Sequence, residues 1–367
     1  MRTSPPPGRR RFLAAAPLVL GLTSAAQAGG ARMAQSSTFD QQFESACLLL
    51  QTHVDGGEIT AAVLHVRRGK ANLTRAFGTA TVDLPFLIAS PTKPMTATAV
   101  LWLRDRGDLS LDDPVKTYLP EFDGGQRGDV TIRHLLSHMS GLPDMLPENV
   151  ELRRRHAPLS TFVARACRTP LLFPPGTKVR YQSMGVLLAA AIVEKVSGEA
   201  MPAFMLRHVF TPLQMRETSF GLGGRQIAAT AACQVPAAER SDWDWNSTYW
   251  RTLGAPWGGA HATARDLVTF LESFVEPGAL LREATCREMR QVQTGDLRPR
   301  FGLGWQRDPG AFGASCSPDT FGHFGSTGTI CWHDPASRTT FALLTTRPAT
   351  DSMATVLLPA STIIGRA

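Results

Sequence analysis

Lysine and tyrosine are the scarce residue types of this 367-residue chain. It has three tyrosines, and its 38 basic residues are almost all arginine. Because arginine is the default base here, a lysine or a tyrosine inside a motif is less easily an accident. The five lysines are Lys70, Lys93, Lys116, Lys178 and Lys195.

The chain also lacks a large net charge once residues 1–28 are left out. The formal net charge is +7, but residues 1–28 hold four arginines and no acidic residue. The rest of the chain carries 34 basic residues against 31 acidic ones, a net charge of +3. So small and scattered an excess gives no phosphate-binding surface, so we expect no nucleic-acid partner.

Several motifs that mark other site types are absent. The six cysteines form no C-x-x-C pair, which leaves a zinc ribbon or a redox dithiol unsupported. No G-x-S-x-G occurs, which argues against the nucleophile turn of α/β-hydrolases. His134 and His138 have the i, i+4 spacing of a zinc-binding helix, but no Glu follows His134 and no third ligand is placed. We therefore expect no metal and no cofactor.

The N-terminus has the pattern of an export signal. Arg9-Arg10-Arg11-Phe12 precedes an apolar run at 13–22 that is too short for a comfortable membrane span, and Ala26-Gln27-Ala28 has the small-x-small form of a cleavage site. This pattern predicts a bacterial twin-arginine signal over residues 1–28 and a periplasmic or extracellular protein. An uncleaved anchor or a misplaced start is the alternative. Folding in a reducing cytoplasm before export favours buried free thiols over disulfides.

The length is compatible with two domains or with one large two-lobed domain, and we place a single domain over 38–365. Hydrophobic residues make up 43% of the full chain, enough for a packed core. Hydrophobic periodicity predicts helices at 38–53, 90–106, 131–138, 159–167, 183–197, 200–209, 263–274, 280–291 and 351–365, and strands at 59–68, 72–78, 301–306, 327–333 and 339–346. The tryptophan-rich stretch 243–257 has no clear period.

Strands at both ends with helices between them predict an α/β (α+β) fold. We expect an antiparallel sheet built from both chain ends (38–88 and 300–365) and flanked by helices, with an inserted, mainly helical lobe at 90–295. A cleft should lie between the two lobes.

Ser90-Pro91-Thr92-Lys93 is the first candidate for chemistry. A spacing of three residues at the start of a helix places Ser90 and Lys93 on one face. A serine hydroxyl needs a neighbouring base to become a nucleophile. Lysine can be that base when burial lowers its pKa, and arginine cannot. The competing interpretation is an ordinary helix start with a surface lysine.

The segment 86–97 resembles the nucleophile segment of the serine β-lactamase and penicillin-binding-protein superfamily. The resemblance is to its class C β-lactamase-like branch, which includes D,D-carboxypeptidase-like enzymes and esterases. It continues in the family's order through 107–115, 131–143, 175–185, 262–267, 301–305 and 322–328. It implies a serine hydrolase that forms an acyl-enzyme with an ester or an amide, on a small molecule or a peptide. With the predicted signal, we expect this hydrolase to be exported.

Tyr181-Gln182-Ser183 stands where this family carries Y-x-N. The resemblance implies that Tyr181 shares proton transfer with Lys93, and a phenol beside an ammonium group is drawn toward phenolate. Ser183 replaces the family's Asn, which contacts the substrate. A hydroxyl can still hydrogen-bond Lys93, but it is shorter than the amide and lacks the amide's geometry for the substrate contact. A core tyrosine before a helix is the competing interpretation.

His323-Phe324-Gly325 stands where β-lactamases carry K-T-G. The resemblance implies a strand beside the cleft, with the N–H groups of Ser326 and Ser90 aimed at the developing oxyanion. His323 is expected to be neutral at pH 7 and the bulky Phe324 to narrow the site. These changes predict weak or no β-lactamase activity. A structural strand histidine is the competing interpretation of His323.

Two questions stay open at the level of sequence. The aromatic residues of 243–257 are equally compatible with a ligand-binding wall and with loop packing. The alternative to a hydrolase is a catalytically inactive relative that binds peptidoglycan fragments or a partner. We expect a monomer with no stable membrane span.

Overall fold

The computed structural model describes residue 1 and residues 23–366 except 277 and 279, with side chains from residue 38 onward. The arginine pair and the apolar run of the predicted export signal lie outside the described residues. The chain divides into two units, 1–41 and 42–367. The described backbone of the first unit from residue 23 onward is helical, and the second unit carries everything that follows.

Eight strands and twelve α-helices are described. The strands are β1 Ala61–Arg68, β2 Ala71–Gly78, β3 Phe86–Leu87, β4 Ser219–Phe220, β5 Ala260–Ala262, β6 Phe321–Gly325, β7 Thr329–Asp334 and β8 Thr339–Thr345. The helices are α1 Thr23–Asp55, α2 Thr92–Arg106, α3 Ile132–Leu136, α4 Asn149–Arg154, α5 Leu159–Ala166, α6 Met184–Ser197, α7 Met201–Met205, α8 Thr248–Leu253, α9 Ala264–Glu272, α10 Glu283–Arg290, α11 Ala349–Ser352 and α12 Leu358–Gly365. Single π-helical turns extend α7 (206–210) and join α11 to α12 (353–357).

The main sheet is antiparallel throughout and has the order β2-β1-β8-β7-β6. Strand β1 pairs with β2 across a tight turn in which Gly69 has a φ of +58°, a value that favours glycine. Its other edge pairs with β8, where Leu64 lies opposite Leu343. Every residue of β7 and β8 is buried, because helices such as α9 and α12 cover the sheet. The predicted sheet from both chain ends is confirmed.

Helix α2 is the central helix of the core. Twelve of its 15 residues are buried, including polar ones, and it packs against α6. Both helices end at a glycine in the left-handed region, Gly107 (φ +85°) and Gly198 (φ +71°), which is the common way to close a helix. A helix surrounded on nearly all sides is held rigidly, and the residues at its start inherit that rigidity.

The differences from the predicted elements fall where periodicity is weak. The predicted strand at 301–306 is reduced to two isolated bridges, Phe301 with Gln306 and Gln306 with Gly322, because Gly302 and Gly304 interrupt it. The pattern did not predict α4, α8 or the small sheet β3-β5-β4, whose strands have two or three residues. Helix α2 begins at Thr92, so Ser90 lies in the turn before it. Among the described residues, none of the helices has the length and apolarity needed to cross a membrane.

Candidate active site

Ser90 is presented by a strained turn between β3 and α2. The Ile88 N–H donates to the carbonyl oxygen of Ala260 (3.0 Å), which extends the small sheet by one bond. Ala89 then has a φ of +52°, a left-handed value that costs energy for a residue with a Cβ atom. Ser90 follows at once, and the Lys93 N–H donates to its carbonyl oxygen (2.9 Å). The turn projects the Ser90 side chain into a cavity.

Lys93 lies directly behind this serine. Its side chain is 1% exposed, which excludes the surface-lysine interpretation. The Nζ atom lies 3.3 Å from Ser90 Oγ and donates to the carbonyl oxygen of Trp257 at 2.8 Å. Burial lowers the pKa of Lys93 to about 7, against the opposing influence of the Asp144 carboxylate. A large fraction of this amine is therefore uncharged at neutral pH and able to accept the Ser90 proton.

Tyr181 forms the next wall of the site, with its ring centre 4.7 Å from Lys93 Nζ. Burial raises the pKa of its phenol, although a hydrogen bond with Ser90 acts in the other direction. The expected shift toward phenolate is therefore wrong, because desolvation penalises the charged form. Tyr181 stays a protonated phenol near neutral pH, suited to passing a proton and not to serving as the resident base.

Ser183 forms its hydrogen bonds with Asp144 and not with Lys93. Its buried hydroxyl donates to Asp144 Oδ1 at 2.7 Å, and its N–H donates to the Asp144 carbonyl oxygen at 3.2 Å. These two bonds tie the loop around Asp144 to the start of α6. Serine is shorter than the asparagine that the family carries here. Its hydroxyl therefore bonds to the nearby Asp144 carboxylate. Asp144 itself was not predicted, and its only signal was an acidic residue directly after Ser140-Gly141-Leu142-Pro143.

His323 lies on β6 and is buried beside the cavity. Its Nδ1 atom lies 2.8 Å from the carbonyl oxygen of Phe324, which places the ring proton there, and Nε2 has no partner among the described residues. Burial, and then the Lys93 charge, lower the pKa of His323 to about 3. The imidazole is neutral at pH 7, as expected.

Gly325 lets β6 approach the nucleophile segment. A Cβ atom at this position would lie 2.2 Å from the carbonyl oxygen of Ile88, so only glycine fits. The Thr327 and Thr329 hydroxyls reinforce the approach by donating to the carbonyl oxygens of Leu87 (2.6 Å) and Ile88 (2.7 Å). Strand β6 and the turn before α2 are thereby held side by side.

This close approach also places two backbone N–H groups at the cavity. Within the described part of the chain, neither the Ser90 N–H nor the Ser326 N–H has a hydrogen-bond acceptor. Ser90 is partly exposed and Ser326 is exposed, and both line the cavity. Two unused donors that line the same cavity as a serine hydroxyl suit a negatively charged oxygen.

The cavity has a volume of about 570 Å³. Six of the seven predicted site residues line it, and the seventh, Gly325, lies between two that do. The lining also includes six aromatic and apolar side chains, called here the aromatic wall: Trp245, Trp250, Trp257, Phe301, Phe324 and Met145. The tryptophan-rich stretch therefore has both roles considered above. Its tryptophans Trp245, Trp250 and Trp257 line the cavity, whereas Tyr249 is outside the lining and donates to the carbonyl oxygen of Ala157 (2.9 Å).

Arg251 holds this aromatic wall from behind and was not predicted. It is completely buried, and its guanidinium donates to the carbonyl oxygens of Trp245 (2.7 Å) and Ala231 (2.8 Å) and to Asn246 Oδ1 (2.9 Å). No carboxylate lies within ion-pair distance of it in the described chain. Arg251 therefore acts as a cross-link for the loop, and its sequence context gives no signal of that role.

The two histidines with zinc-like spacing have separate structural roles. His134 closes the N-terminus of α3, where its Nδ1 accepts the Thr131 N–H (3.2 Å). His138, at a φ of +63°, packs against Tyr181 in a tilted arrangement with 4.8 Å between ring centres. The described residues contain no group of three or more His, Cys, Asp or Glu side chains placed to hold a metal. All six cysteines are unpaired thiols, five of them buried.

Comparison with known proteins places this geometry in context. A family model described as Beta-lactamase matches residues 38–361. The esterase EstB of Burkholderia gladioli is 37% identical over 153 residues, which are 38% of this chain and 39% of that protein. An Escherichia coli (strain K12) protein, named as a candidate D-alanyl-D-alanine carboxypeptidase, is 27% identical over 309 residues, 73% of this chain and 70% of that protein.

Among solved structures, EstCE1 has a TM-score of 0.73 at 20% sequence identity and covers 90% of this chain and 99% of its own. It is described as a hydrolase with promiscuous acyltransferase activity. At this identity the likeness shows a shared fold. The match covers well under half the length of EstB, so it does not show that this chain has the activity of that protein.

Proposed function

The chain belongs to the beta-lactamase family of serine hydrolases, and on that premise we propose that it cleaves an ester or an amide through an acyl-enzyme on Ser90. Membership confirms the resemblance drawn from the motifs. The observation that carries the proposal is the buried Lys93 amine, with its pKa lowered to about 7, at 3.3 Å from Ser90 Oγ. A buried lysine that loses its proton near neutral pH beside a serine is the chemistry that a serine nucleophile requires.

The proposed reaction has two steps, acylation of Ser90 and hydrolysis of the acyl-enzyme. Lys93 Nζ takes the proton from Ser90 Oγ while the oxygen attacks the substrate carbonyl carbon. The N–H groups of Ser90 and Ser326 donate to the resulting oxyanion. Tyr181 passes the proton to the leaving group as its bond to carbon breaks. Water then attacks the ester on Ser90 and gives a proton to Lys93, and Lys93 returns a proton to the Ser90 oxygen as the bond between that oxygen and the acyl carbon breaks.

We further propose that esters or D-amino-acid peptides are better substrates than β-lactams. A penicillin carries a carboxylate that the enzyme must hold. His323 is neutral, and the Ser183 hydroxyl is engaged with Asp144, so neither supports that contact. A small ester needs only the nucleophile, the proton path and the oxyanion donors.

The test is covalent labelling followed by intact-mass analysis. A fluorophosphonate should add one label to the wild-type protein and none to Ser90→Ala, because only an activated serine reacts. Ser160→Ala, which removes an exposed serine on α5, is the matched control and should label normally. An unlabelled wild-type protein that still binds peptidoglycan fragments would support the inactive, binding relative instead.

A further inference from the structure

Asp144 is a charged group in the cleft that the proposed reaction does not use. It lines the cavity together with Ser90, Lys93 and Tyr181. Its Oδ1 atom accepts the Ser183 hydroxyl at 2.7 Å, which fixes the carboxylate in one orientation. Its Oδ2 atom has no hydrogen-bond donor among the described residues, although the side chain is only partly exposed. One oxygen is thus anchored and the other is available to a ligand.

The charge of Asp144 affects the pKa values of the reacting groups. It lies close enough to raise the pKa of both Lys93 and Tyr181. The form of Lys93 that accepts the Ser90 proton is uncharged, and His323 is neutral. In the state that attacks substrate, neither Lys93 nor His323 therefore balances the negative charge of Asp144 in the described cavity lining.

The second cation in the cavity lining does not neutralise Asp144. The Arg153 guanidinium lies over the Trp250 ring, 4.0 Å from its centre, and donates to the carbonyl oxygen of Trp243 (3.2 Å). It is not within ion-pair distance of Asp144. Arg153 packs on the aromatic wall, so the cavity lining combines the unpaired charge of Asp144 with apolar, aromatic side chains.

We propose that Asp144 binds an ammonium group that the substrate carries next to its scissile carbonyl. The preferred acyl donors would then be aminoacyl esters or amides with an apolar or aromatic side chain. A carboxylate and an ammonium group form a short, charge-assisted hydrogen bond, and the tryptophan wall accepts the side chain. The same charge disfavours a substrate with a carboxylate at that position. This inference rests on the proposed hydrolase function and names its substrate class.

The test is a matched series of three methyl esters: phenylalanine methyl ester, methyl 3-phenylpropionate and monomethyl benzylmalonate. They place an ammonium group, a hydrogen atom and a carboxylate, respectively, on the same carbon. Both enantiomers of the amino ester are assayed, at about pH 6.5, where an α-amino group is charged. We measure kcat/KM for wild type, Asp144→Asn, Asp144→Glu and Asp108→Asn. Asp108 is an exposed carboxylate outside the cavity lining and serves as the matched control.

For wild type we expect kcat/KM for one enantiomer of the ammonium ester to exceed that of the hydrogen ester by about tenfold or more, the scale of a hydrogen bond to a charged group. Asp144→Asn should remove that preference and raise the relative rate of the carboxylate ester. Asp144→Glu should keep part of the preference, and Asp108→Asn should keep all of it.

Each variant is judged by its ratio between esters, so a general loss of activity does not imitate the effect. An unchanged ratio in Asp144→Asn would overturn the inference and leave the hydrolase proposal intact. Should Asp144→Asn fail to fold, inhibition of wild type decides: phenethylamine must compete with the hydrogen ester better than phenylacetate does. Failure of all three esters together with no fluorophosphonate labelling would overturn the hydrolase proposal itself.

Discussion

Lys93 Nζ lies closer to the carbonyl oxygen of Trp257, at 2.8 Å, than to Ser90 Oγ, at 3.3 Å. A second bond of the same kind lies one turn along α2, where the Thr96 hydroxyl donates to the carbonyl oxygen of Pro256 at 2.6 Å. The two bonds fasten the helix that carries the base to the segment that carries the aromatic wall. The position of the amine and the shape of the substrate cavity are therefore set by the same contacts.

Lys93→Arg should be nearly as damaging as Lys93→Ala. The guanidinium stays charged and cannot accept a proton, so both variants should lose at least about 10²-fold in kcat/KM, the usual scale for an acid–base group. The measurement is hydrolysis of p-nitrophenyl butyrate, with circular dichroism to verify folding. Lys195→Arg, at an exposed site, is the control. Substantial activity in Lys93→Arg would make Lys93 an electrostatic partner and not a base.

The pH dependence of kcat/KM should follow Lys93. Because the base must be uncharged, the rate with a neutral ester should rise with pH and level off above the lowered pKa of about 7. The Asp144 charge raises the pKa of Lys93, so Asp144→Asn should move this rise to lower pH. Rate profiles from pH 5 to 9 decide the point. A rise that stays in place or moves to higher pH in the variant would contradict the assignment.

Arg251→Met should loosen the aromatic wall. The change leaves the carbonyl oxygens of Trp245 and Ala231 without donors, and for the buried Ala231 oxygen the cost is about 1–3 kcal/mol. We expect a Tm lower by several degrees, and a KM that rises more for p-nitrophenyl butyrate than for the acetate. Equal effects on both esters would show that Arg251 supports the fold without shaping the cavity.

The motif residues could be predicted from sequence because each depends on local spacing. Ser90 and Lys93 are three residues apart on a rigid helix start, and Gly325 is required by one close backbone approach. Those relationships leave a pattern in consecutive residues. The fold followed in the same way from strands at the two ends of the chain.

The parts that could not be predicted depend on long-range contacts. The partner of Ser183 is Asp144, 39 positions earlier, and nothing in the local sequence ties the two together. Arg251 looks like a surface arginine in α8 until the loop around Ala231 closes over it. The phenol of Tyr181 was expected to ionise because its neighbour is a lysine, but burial acts more strongly than that neighbour.

Export should depend on the arginine pair. We propose that residues 1–28 direct twin-arginine transport of the folded protein, and the unpaired cysteines support folding before export. Replacing Arg9 and Arg10 by lysine should leave precursor in the cytoplasm, while the wild-type protein should begin near Gly29 by N-terminal sequencing. Arg168→Lys, at an exposed site outside residues 1–28, is the matched control for the exchange of arginine for lysine. Normal export of the double-lysine variant would point to another route.

The protein should hydrolyse p-nitrophenyl butyrate faster than nitrocefin when both are assayed with the same preparation. Turnover of a β-lactam requires rapid deacylation of a bulky acyl-enzyme whose carboxylate is held in place. Here the third motif offers the neutral His323, and the second motif offers a hydroxyl that is bound to Asp144.

Asp144 adds a repulsive charge on the side of the cleft where Ser183 replaces the family's asparagine. Penicillin is therefore expected to acylate Ser90 slowly and to remain attached, which intact-mass analysis would show as a persistent adduct that Ser90→Ala lacks. Asp144→Asn should speed the formation of that adduct, because it removes the repulsion of the carboxylate, while Asp108→Asn should not. Nitrocefin turning over faster than the ester, with kcat/KM above roughly 10⁵ M⁻¹s⁻¹, would show that the neutral histidine suffices for β-lactam hydrolysis.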